Sequence, residues 1–593
     1  MAFSRRNFLV ATGVAAAGTT LLTACGSDDS GSGGSGGGKP SQGGVTGGKA
    51  EKIELGTKAD SQGPAPEVEG AKKGGTLYTM DQIDADHLDP AQIWSAYEGW
   101  MTPLFMRGLV GYKVDVKTGK CVLVGDAATD TGTAKDGGKT WVFTLKDGLK
   151  WEDGKDLTVD DVKHTFERLF AKFVTFGPRY PQQWLIGGDK YKGPYEGKHL
   201  DSIEVDKDAK TITFNLKEAH GDFNFCLTMR AFSLVPKHKD TKEDYDKKPF
   251  SCGPYKISSR KVGKSMLCVR NEHWDAKTDP IRNAYPDKFQ FQFGYQPLAS
   301  TDRYIADQGK DQYTFSLLNE VAPERVQQVL GGGKYKDRIL THLDVATYYW
   351  AINTTRIKDV QVRKALQYAF PLSKLQVIRG GAATSEMATT IMNPLTPGHA
   401  DFDLYDKKKK PAGDPAKAKE LLKKAGKLGQ KVVIAYQQSE NALKQAVAIK
   451  NSLEAAGFKV VNKQVDKASF YSQIAQLDND YDLFAAGWSP DWPGGYTALQ
   501  PTFDGRVIAN GASNWPQLNN KSVNKAIDAA SQITDVDESN KAYGAIDKQI
   551  MDLAAAIPDY WPIRNWFHGS KVGGFVYSAG DTGIDISKLY AKA

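Results

Sequence analysis

One apolar run, residues 8–17 continuing to Leu22, is the only stretch of this 593-residue chain that approaches membrane length. A helix needs about 20 consecutive, mostly apolar residues to cross a bilayer core. The chain is therefore not a multi-span membrane protein, and its remaining apolar residues have to bury one another in water. They make up 40% of the sequence, beside 10% aromatic and 25% charged residues, proportions that exclude a disordered or collagen-like chain. At roughly 150 residues per domain the length suggests about four modules. Lys and Arg number 77 against 70 Asp and Glu, a surplus of +7. The two signs are interspersed, and the only basic run is residues 407–410, which reads as a solvated loop. A nucleic-acid partner requires basic residues gathered on one face, so none is expected.

The N-terminus carries an address. Ser4-Arg5-Arg6-Asn7-Phe8-Leu9 resembles a twin-arginine export signal. The apolar run behind it is short and rich in Ala, Gly and Thr, as in the central region of a signal peptide. It ends at Leu22-Thr23-Ala24-Cys25, which is similar to the lipobox of bacterial lipoproteins. That similarity implies cleavage before Cys25, with lipid on its sulfur and its new amino group. The alternative is an ordinary secretory peptide with a chance cysteine, but the small residue, the position and the following linker all favour the lipobox. Stable anchoring takes more than one acyl chain. Losing residues 1–24 removes Arg5 and Arg6 and leaves a net charge of +5. Residues 26–70 are dominated by Gly, Ser, Asp and Lys, a composition that buries too little apolar surface to offset its ordering entropy. As a flexible coil this segment spans roughly 35–40 Å. The expectation is an extracytoplasmic domain on a lipid tether, a device that suits a receptor or an enzyme equally.

Four further cysteines, Cys121, Cys226, Cys252 and Cys268, sit in a compartment that permits disulfides, and four thiols allow three pairings. There is no CxxC pair and no HExxH, and the nine histidines are scattered. No metal site and no cofactor are expected. Gly137-Gly138-Lys139-Thr140 lacks the first glycine of a phosphate-binding loop and precedes a strand, so it reads as a hairpin turn. Asp478, Asp480 and Asp482 alternate like calcium ligands, but Leu483 stands where such a loop needs glycine; they read as a solvated strand entrance. No GxSxG elbow is present, and no catalytic residue is assigned.

Ordered sequence is expected from about Lys72. Residues 140–146 alternate as a half-buried strand, and Asp147-Gly148 supplies a hairpin turn. Thr158 with Asp161 forms a capping-box variant, ahead of an apolar helix face at Val162, Phe166, Leu169 and Phe170. Asp414-Pro415 opens a helix that Gly426 closes, with Ala418, Leu421, Leu422 and Ala425 on its buried face. Short apolar strands at residues 431–436 and 481–486 flank a helix at 442–456, the alternation of an α/β lobe.

Five blocks, in order along residues 71–593, resemble the extracytoplasmic solute-binding proteins of the oligopeptide and dipeptide type, solute-binding family 5. They are Leu88-Asp89-Pro90-Ala91 with Tyr97-Glu98-Gly99; the run Trp141 through Trp151, with Asp153-Gly154 and Asp160-Asp161-Val162; Cys252-Gly253-Pro254-Tyr255 with Arg270-Asn271-Glu272-His273-Trp274; Asn353-Thr354-Thr355 with Val362-Arg363-Lys364-Ala365-Leu366; and Gly487-Trp488-Ser489-Pro490-Asp491-Trp492-Pro493. Two positions depart. Cys252 stands where the family usually has Thr or another small residue, and Gly494-Gly495 replaces the usual acidic residue and proline.

The resemblance implies an α/β, two-lobed, hinged periplasmic-binding-protein fold of type II, with an extra subdomain in the first lobe. The implied division is a signal peptide at 1–24, a lipid-anchored linker at 25–70, a first lobe at 71–346, a second lobe at 347–560 and a return to the first at 561–593. The chain would enter the second lobe near Tyr348-Tyr349-Trp350 and leave it near Trp561-Pro562. A monomeric receptor of this kind passes its solute to an ABC transporter permease. In family members an aspartate of the Gly-Trp-x-x-Asp loop pairs with the α-ammonium of a peptide, and Asp491 is the matching residue. Trp492, then Trp488 and Trp94, are the aromatic candidates to contact the ligand, with Trp492 preferred and Tyr97 read as structural. An oligosaccharide ligand, for which stacking tryptophans suit, is the alternative within the fold. A tethered hydrolase is the alternative outside it.

Overall fold

Strand alternation and helix caps act locally as read. In the computed structural model, which describes residues 52–467 and 469–593, Thr140–Thr144 is a strand whose hairpin partner Thr133–Lys135 turns through residues 136–139. With Thr211–Asn215 and Ile203–Asp206 it forms a four-stranded antiparallel sheet. The helix Val159–Arg168 starts with the capping box, Thr158 donating its backbone N–H to Asp161 Oδ2 at 3.0 Å. It lays Val162 and Phe166 on that sheet's Phe214, whose ring lies 4.7 Å from that of Phe166. Asp414 caps Pro415–Lys424, and Gly426 beyond its end takes φ +64°, the left-handed conformation that glycine adopts without steric cost. Asp147-Gly148 does turn, but no hairpin follows: Thr140–Thr144 pairs with Thr211–Asn215 instead.

Two larger sheets organise the rest. One has five strands in the order Thr314–Phe315, Thr76–Thr79, Lys288–Gln292, Ser265–Arg270, Tyr255–Lys261. The other has seven, running Ile339–Leu343, Ala556–Phe567, Thr347–Ile352, Leu483–Trp488, Lys431–Gln437, Lys459–Val465, with Ser385–Met387 beside Ala556–Phe567. The helix Glu440–Ala455 makes the crossover between the parallel strands Lys431–Gln437 and Lys459–Val465, as parallel neighbours require. Ala556–Phe567 is the longest strand described. Its Ile557 lies in a core with Trp350, Ile352 and Leu483, whereas its Trp566 lies in another with Leu77, Phe289 and Phe291. One continuous strand thus serves two cores, and Ile339–Leu343 and Thr347–Ile352 pair with its two ends through the short link 344–346.

Several sequence expectations are corrected. Residues 52–70 are not a free tether. Glu54–Leu55 adds a strand beside Cys121–Gly125, Ile53, Ala65 and Val68 are buried, and Tyr285 accepts the Val68 N–H at 2.8 Å. A few apolar residues suffice because the folded body supplies the complementary surface, which composition alone does not reveal. Lys407 is not solvated either: its ammonium is buried and donates to the carbonyls of Gln367 and Phe370 at the end of the helix Val360–Ala369. Asp482 is likewise buried, accepting from Val433 N at 2.8 Å and Arg356 Nε at 2.7 Å, while Asp478 and Asp480 are exposed. The four cysteines are buried and unpaired, and burial pushes the thiols of Cys121 and Cys252 up to about 12. Arg5, Arg6 and Cys25 lie outside the described residues.

A buried charge cluster ties the loops of the first sheets together. Asp126 accepts from Arg107 Nε and from Arg282 Nη2, both at 2.7 Å, and Arg282 also meets Asp279 at 3.1 Å. Removing one partner of such a cluster strands the others without water, which costs about 3–5 kcal/mol. Arg282→Met should lose that much in urea unfolding. Lys407 offers a pH test. Burial lowers its pKa from 10.5 to about 7, so between those values the unfolded chain binds the extra proton and stability rises with pH. In Lys407→Met, thermal unfolding measured from pH 7 to pH 10 should lack this contribution, worth up to about 1.4 kcal/mol per pH unit.

Candidate functional site

Asp491 lies in the loop between the strand Leu483–Trp488 and the helix Gly495–Phe503. The loop is fixed from within. Thr497 Oγ1 accepts the Asp491 N–H at 2.8 Å, and Thr497 O accepts the Trp488 indole N–H at 2.8 Å. The sequence departure at Gly495 has a steric cause, since a Cβ there would stand 2.3 Å from Tyr543 Cβ. Gly495 also donates its N–H to Asn540 Oδ1 at 2.8 Å.

The carboxylate of Asp491 meets two neutral donors from distant parts of the chain. The Trp94 indole donates to Oδ1 at 2.8 Å and the Tyr180 hydroxyl to Oδ2 at 2.5 Å. Trp94 sits between the turn Pro90–Gln92, capped by Asp89, and the helix Ala96–Met101; Tyr180 opens the short helix Tyr180–Trp184. No Lys, Arg or His pairs with Asp491 among the described residues. Burial pushes its pKa from 3.8 up to about 6, against the pull of the Tyr180 and Trp94 hydrogen bonds, because a charge removed from water is disfavoured unless compensated.

An opening of about 150 Å³ adjoins this carboxylate, lined among others by Trp94, Tyr112, Thr228, Arg230, Asp491 and Asp581. Larger hollows of about 230 and 300 Å³ lie elsewhere. We place the site at Asp491 because its partly buried, uncompensated carboxylate faces this opening. The three tryptophans separate on exposure. Trp94 is 38% exposed, its ring 6.5 Å edge-on to Trp488 and 5.9 Å from the exposed Phe176. Trp488 is partly buried. Trp492, the preferred ligand contact from sequence, is 1% exposed and donates its N–H to Asp222 at 2.9 Å. It packs among Tyr180, Trp184 and Tyr496, so here it braces the loop and presents no face to the opening. Tyr97 is buried, its hydroxyl donating to Ile83 O. Sequence reasoning missed Tyr180, Asp222, Arg230 and Asp581. None stands in a recognisable motif, and only the fold brings residues 311 and 270 positions apart onto the Asp491 loop.

Known proteins agree with this architecture. Residues 122–510 match the family described as bacterial extracellular solute-binding proteins, family 5 Middle. The periplasmic murein peptide-binding protein MppA of Escherichia coli is 25% identical over 454 residues, covering 73% of this chain and 80% of that protein. The oligopeptide-binding protein AppA of Bacillus subtilis is 22% identical over 480 residues, 74% of this chain and 79% of its own. The solved structure of clavulanic acid biosynthesis oligopeptide binding protein 2 superposes with a TM-score of 0.82 at 28% identity, over 91% of this chain and 99% of that one. A periplasmic binding protein DppA from Helicobacter pylori, solved with the peptide STSA, superposes at 0.66 and 20% identity, over 88% and 99%. The fold is the α/β, two-lobed fold of periplasmic peptide-binding proteins, and this chain belongs to the bacterial extracellular solute-binding proteins of family 5.

Proposed function

We propose that the protein is a lipid-anchored extracytoplasmic receptor that closes two lobes on a small peptide and passes it, chemically unchanged, to an ABC importer in the same membrane. The observation that carries this reading is the uncompensated carboxylate of Asp491 beside an opening. A carboxylate accepts at roughly four lone-pair positions, so an incoming ammonium has acceptor sites beyond those that Trp94 and Tyr180 occupy. A peptide α-ammonium supplies the missing charge, whereas a neutral sugar leaves it missing; the oligosaccharide reading is accordingly disfavoured. Relatives and solved neighbours named for peptide binding, including the complex with STSA, support the same ligand class.

The lobes are assigned to residues 71–346 with 561–593 and to 347–560. The hinge is the link 344–346 together with the middle of Ala556–Phe567, the strand that serves two cores. Ligand shared between the lobes favours the closed form by its differential affinity. The anchor is lipid on Cys25, reached through the export signal at Arg5 and Arg6. The opening shows no nucleophile paired with a base, and the hydrolase alternative gains no support.

Calorimetry of residues 52–593 against a diverse peptide library should detect binding, and Asp491→Asn should weaken it by about 2–5 kcal/mol. Solution scattering should show contraction on adding peptide. No heat from any peptide would overturn the peptide reading, and an unchanged scattering profile with bound peptide would overturn the closure. Because Asp491 titrates near pH 6, and the ammonium binds its ionised form, affinity should fall up to about tenfold per unit as pH drops below 6. Asp491→Asn should show no such slope.

A further inference from the structure

The surplus of positive charge is not spread evenly over the molecule. Residues 407–467 hold 15 lysines and 5 acidic residues, a surplus of +10, so the rest of a +7 chain carries −3. Some of these lysines are matched on their own helices, as Lys424 is to Glu420, Lys444 to Glu440 and Lys450 to Glu454. Among the described residues no carboxylate pairs with Lys419, Lys423, Lys427, Lys431 or Lys459, and all five are exposed.

The fold gathers them at one corner of the seven-stranded sheet. Lys459–Val465 is its edge strand, and Lys431 stands directly opposite Lys459 on the neighbouring strand. The adjoining loop is pinned by Gly429, which donates its N–H to Gly457 O at 2.8 Å. A Cβ on Gly457 would stand 3.6 Å from Leu428 Cδ1 and 3.9 Å from Lys419 Cγ, and one on Gly429 3.7 Å from Lys459 Cε. Leu428, between these lysines, is 51% exposed. Val461 is 46% exposed and shares the face of Lys459, two residues along the edge strand.

Like charges directly opposite each other on paired strands are destabilising. Structural uses account for part of the arrangement. Lysine on an edge strand discourages pairing with another chain, and Lys423 suits the C-terminal turn of the helix Pro415–Lys424, where cations are favoured. Neither use calls for two exposed apolar side chains among the lysines. Apolar tips inside a ring of cations match a bilayer with anionic headgroups, where buried apolar area and attraction to the lipid charge add. Each lysine close to such a surface strengthens binding about fivefold. No arginine or aromatic ring stands among these seven residues, and those are the side chains that fork onto or stack with nucleic-acid bases.

The 27 residues from Cys25 to Lys52 reach at most about 90 Å, more than the breadth of about 60 Å expected of a folded body this size. An anchor of that length holds the protein near a membrane without choosing which face lies on it. We propose that the corner formed by Lys419, Lys423, Lys431 and Lys459 around Leu428 and Val461 is a docking surface for an anionic lipid bilayer, the membrane that holds Cys25, and that it sets which face of the protein lies there.

The test sediments residues 26–593, which keep every described residue and lack Cys25, with vesicles of phosphatidylcholine alone or with about one-third phosphatidylglycerol. The wild-type chain should bind the anionic vesicles at least about tenfold more tightly than the neutral ones, and lose that margin as salt screens the charges. The variant Lys419→Gln, Lys423→Gln, Lys431→Gln, Lys459→Gln should bind both vesicles alike, and an unchanged thermal midpoint separates its lost docking from lost folding. The variant Lys135→Gln, Lys192→Gln, Lys264→Gln, Lys288→Gln removes the same charge from exposed positions elsewhere and should keep the margin. Leu428→Ser should weaken binding to the anionic vesicles by about fivefold or more. Equal wild-type binding to the two vesicles, or an equal loss in the two four-lysine variants, would overturn the proposal. Binding insensitive to Leu428→Ser would also overturn it, because the corner would then be a general anion site with no bilayer partner. Neither lipid on Cys25 nor a peptide enters the assay, so the anchor and the peptide reading stand or fall separately.

Discussion

The architecture hangs on one strand. Ala556–Phe567 pairs with Thr347–Ile352 at one end, with Ser385–Met387 in its middle and with Ile339–Leu343 at the other end. A strand buried at both ends cannot slip, because a shift of one residue would turn every side chain to the wrong face. Ile557 and Trp566 are thereby fixed in separate cores. Between them the pairing is interrupted at Tyr348/Tyr349, and the stacked rings of Tyr348 and Tyr560, 4.8 Å apart, mark the change of partner.

The site inherits its electrostatics from this frame. Asp491 is presented by a loop at the end of a central strand, where backbone N–H and hydroxyl groups fix its position, and the donors that reach it are uncharged. Other buried carboxylates vary: Asp89 is gripped by both terminal nitrogens of Arg168 and Asp126 by two arginines, whereas Asp547 is held by backbone N–H groups alone and burial pushes it up to about 7. What distinguishes Asp491 from Asp547 is that its carboxylate borders an opening. Buried unpaired charge is costly, and a cationic partner entering from that opening would offset the cost.

Much of this was legible from residues alone. The capping box at Thr158, the helix opened by Asp414 and the buried strands read at 431–436 and 481–486 follow from local rules, because caps, alternation and turns act over a few residues, whereas the Asp491 loop was legible only through the family resemblance. What escaped notice acts at long range. Lys407 looked solvated because its three neighbouring lysines set the local composition, yet the helix end 40 residues away needed a donor for its carbonyls. Residues 52–70 looked like a tether because what holds them lies far along the chain, as where the Val68 N–H donates to the Tyr285 hydroxyl. Trp492 looked like a ligand contact because it flanks Asp491, whereas neighbours in a tight loop tend to point to opposite sides.

The aromatic seam has a thermal consequence. Tyr180 and Trp184 meet Trp492 and Tyr496 with ring centres 4.9 to 6.1 Å apart, and opening about the proposed hinge would part them. Wetting that much ring surface raises the heat capacity of the open state. The balance between open and shut should therefore shift with temperature along a curve, not a line, and the enthalpy of solute capture should grow steadily more negative as the solution is warmed.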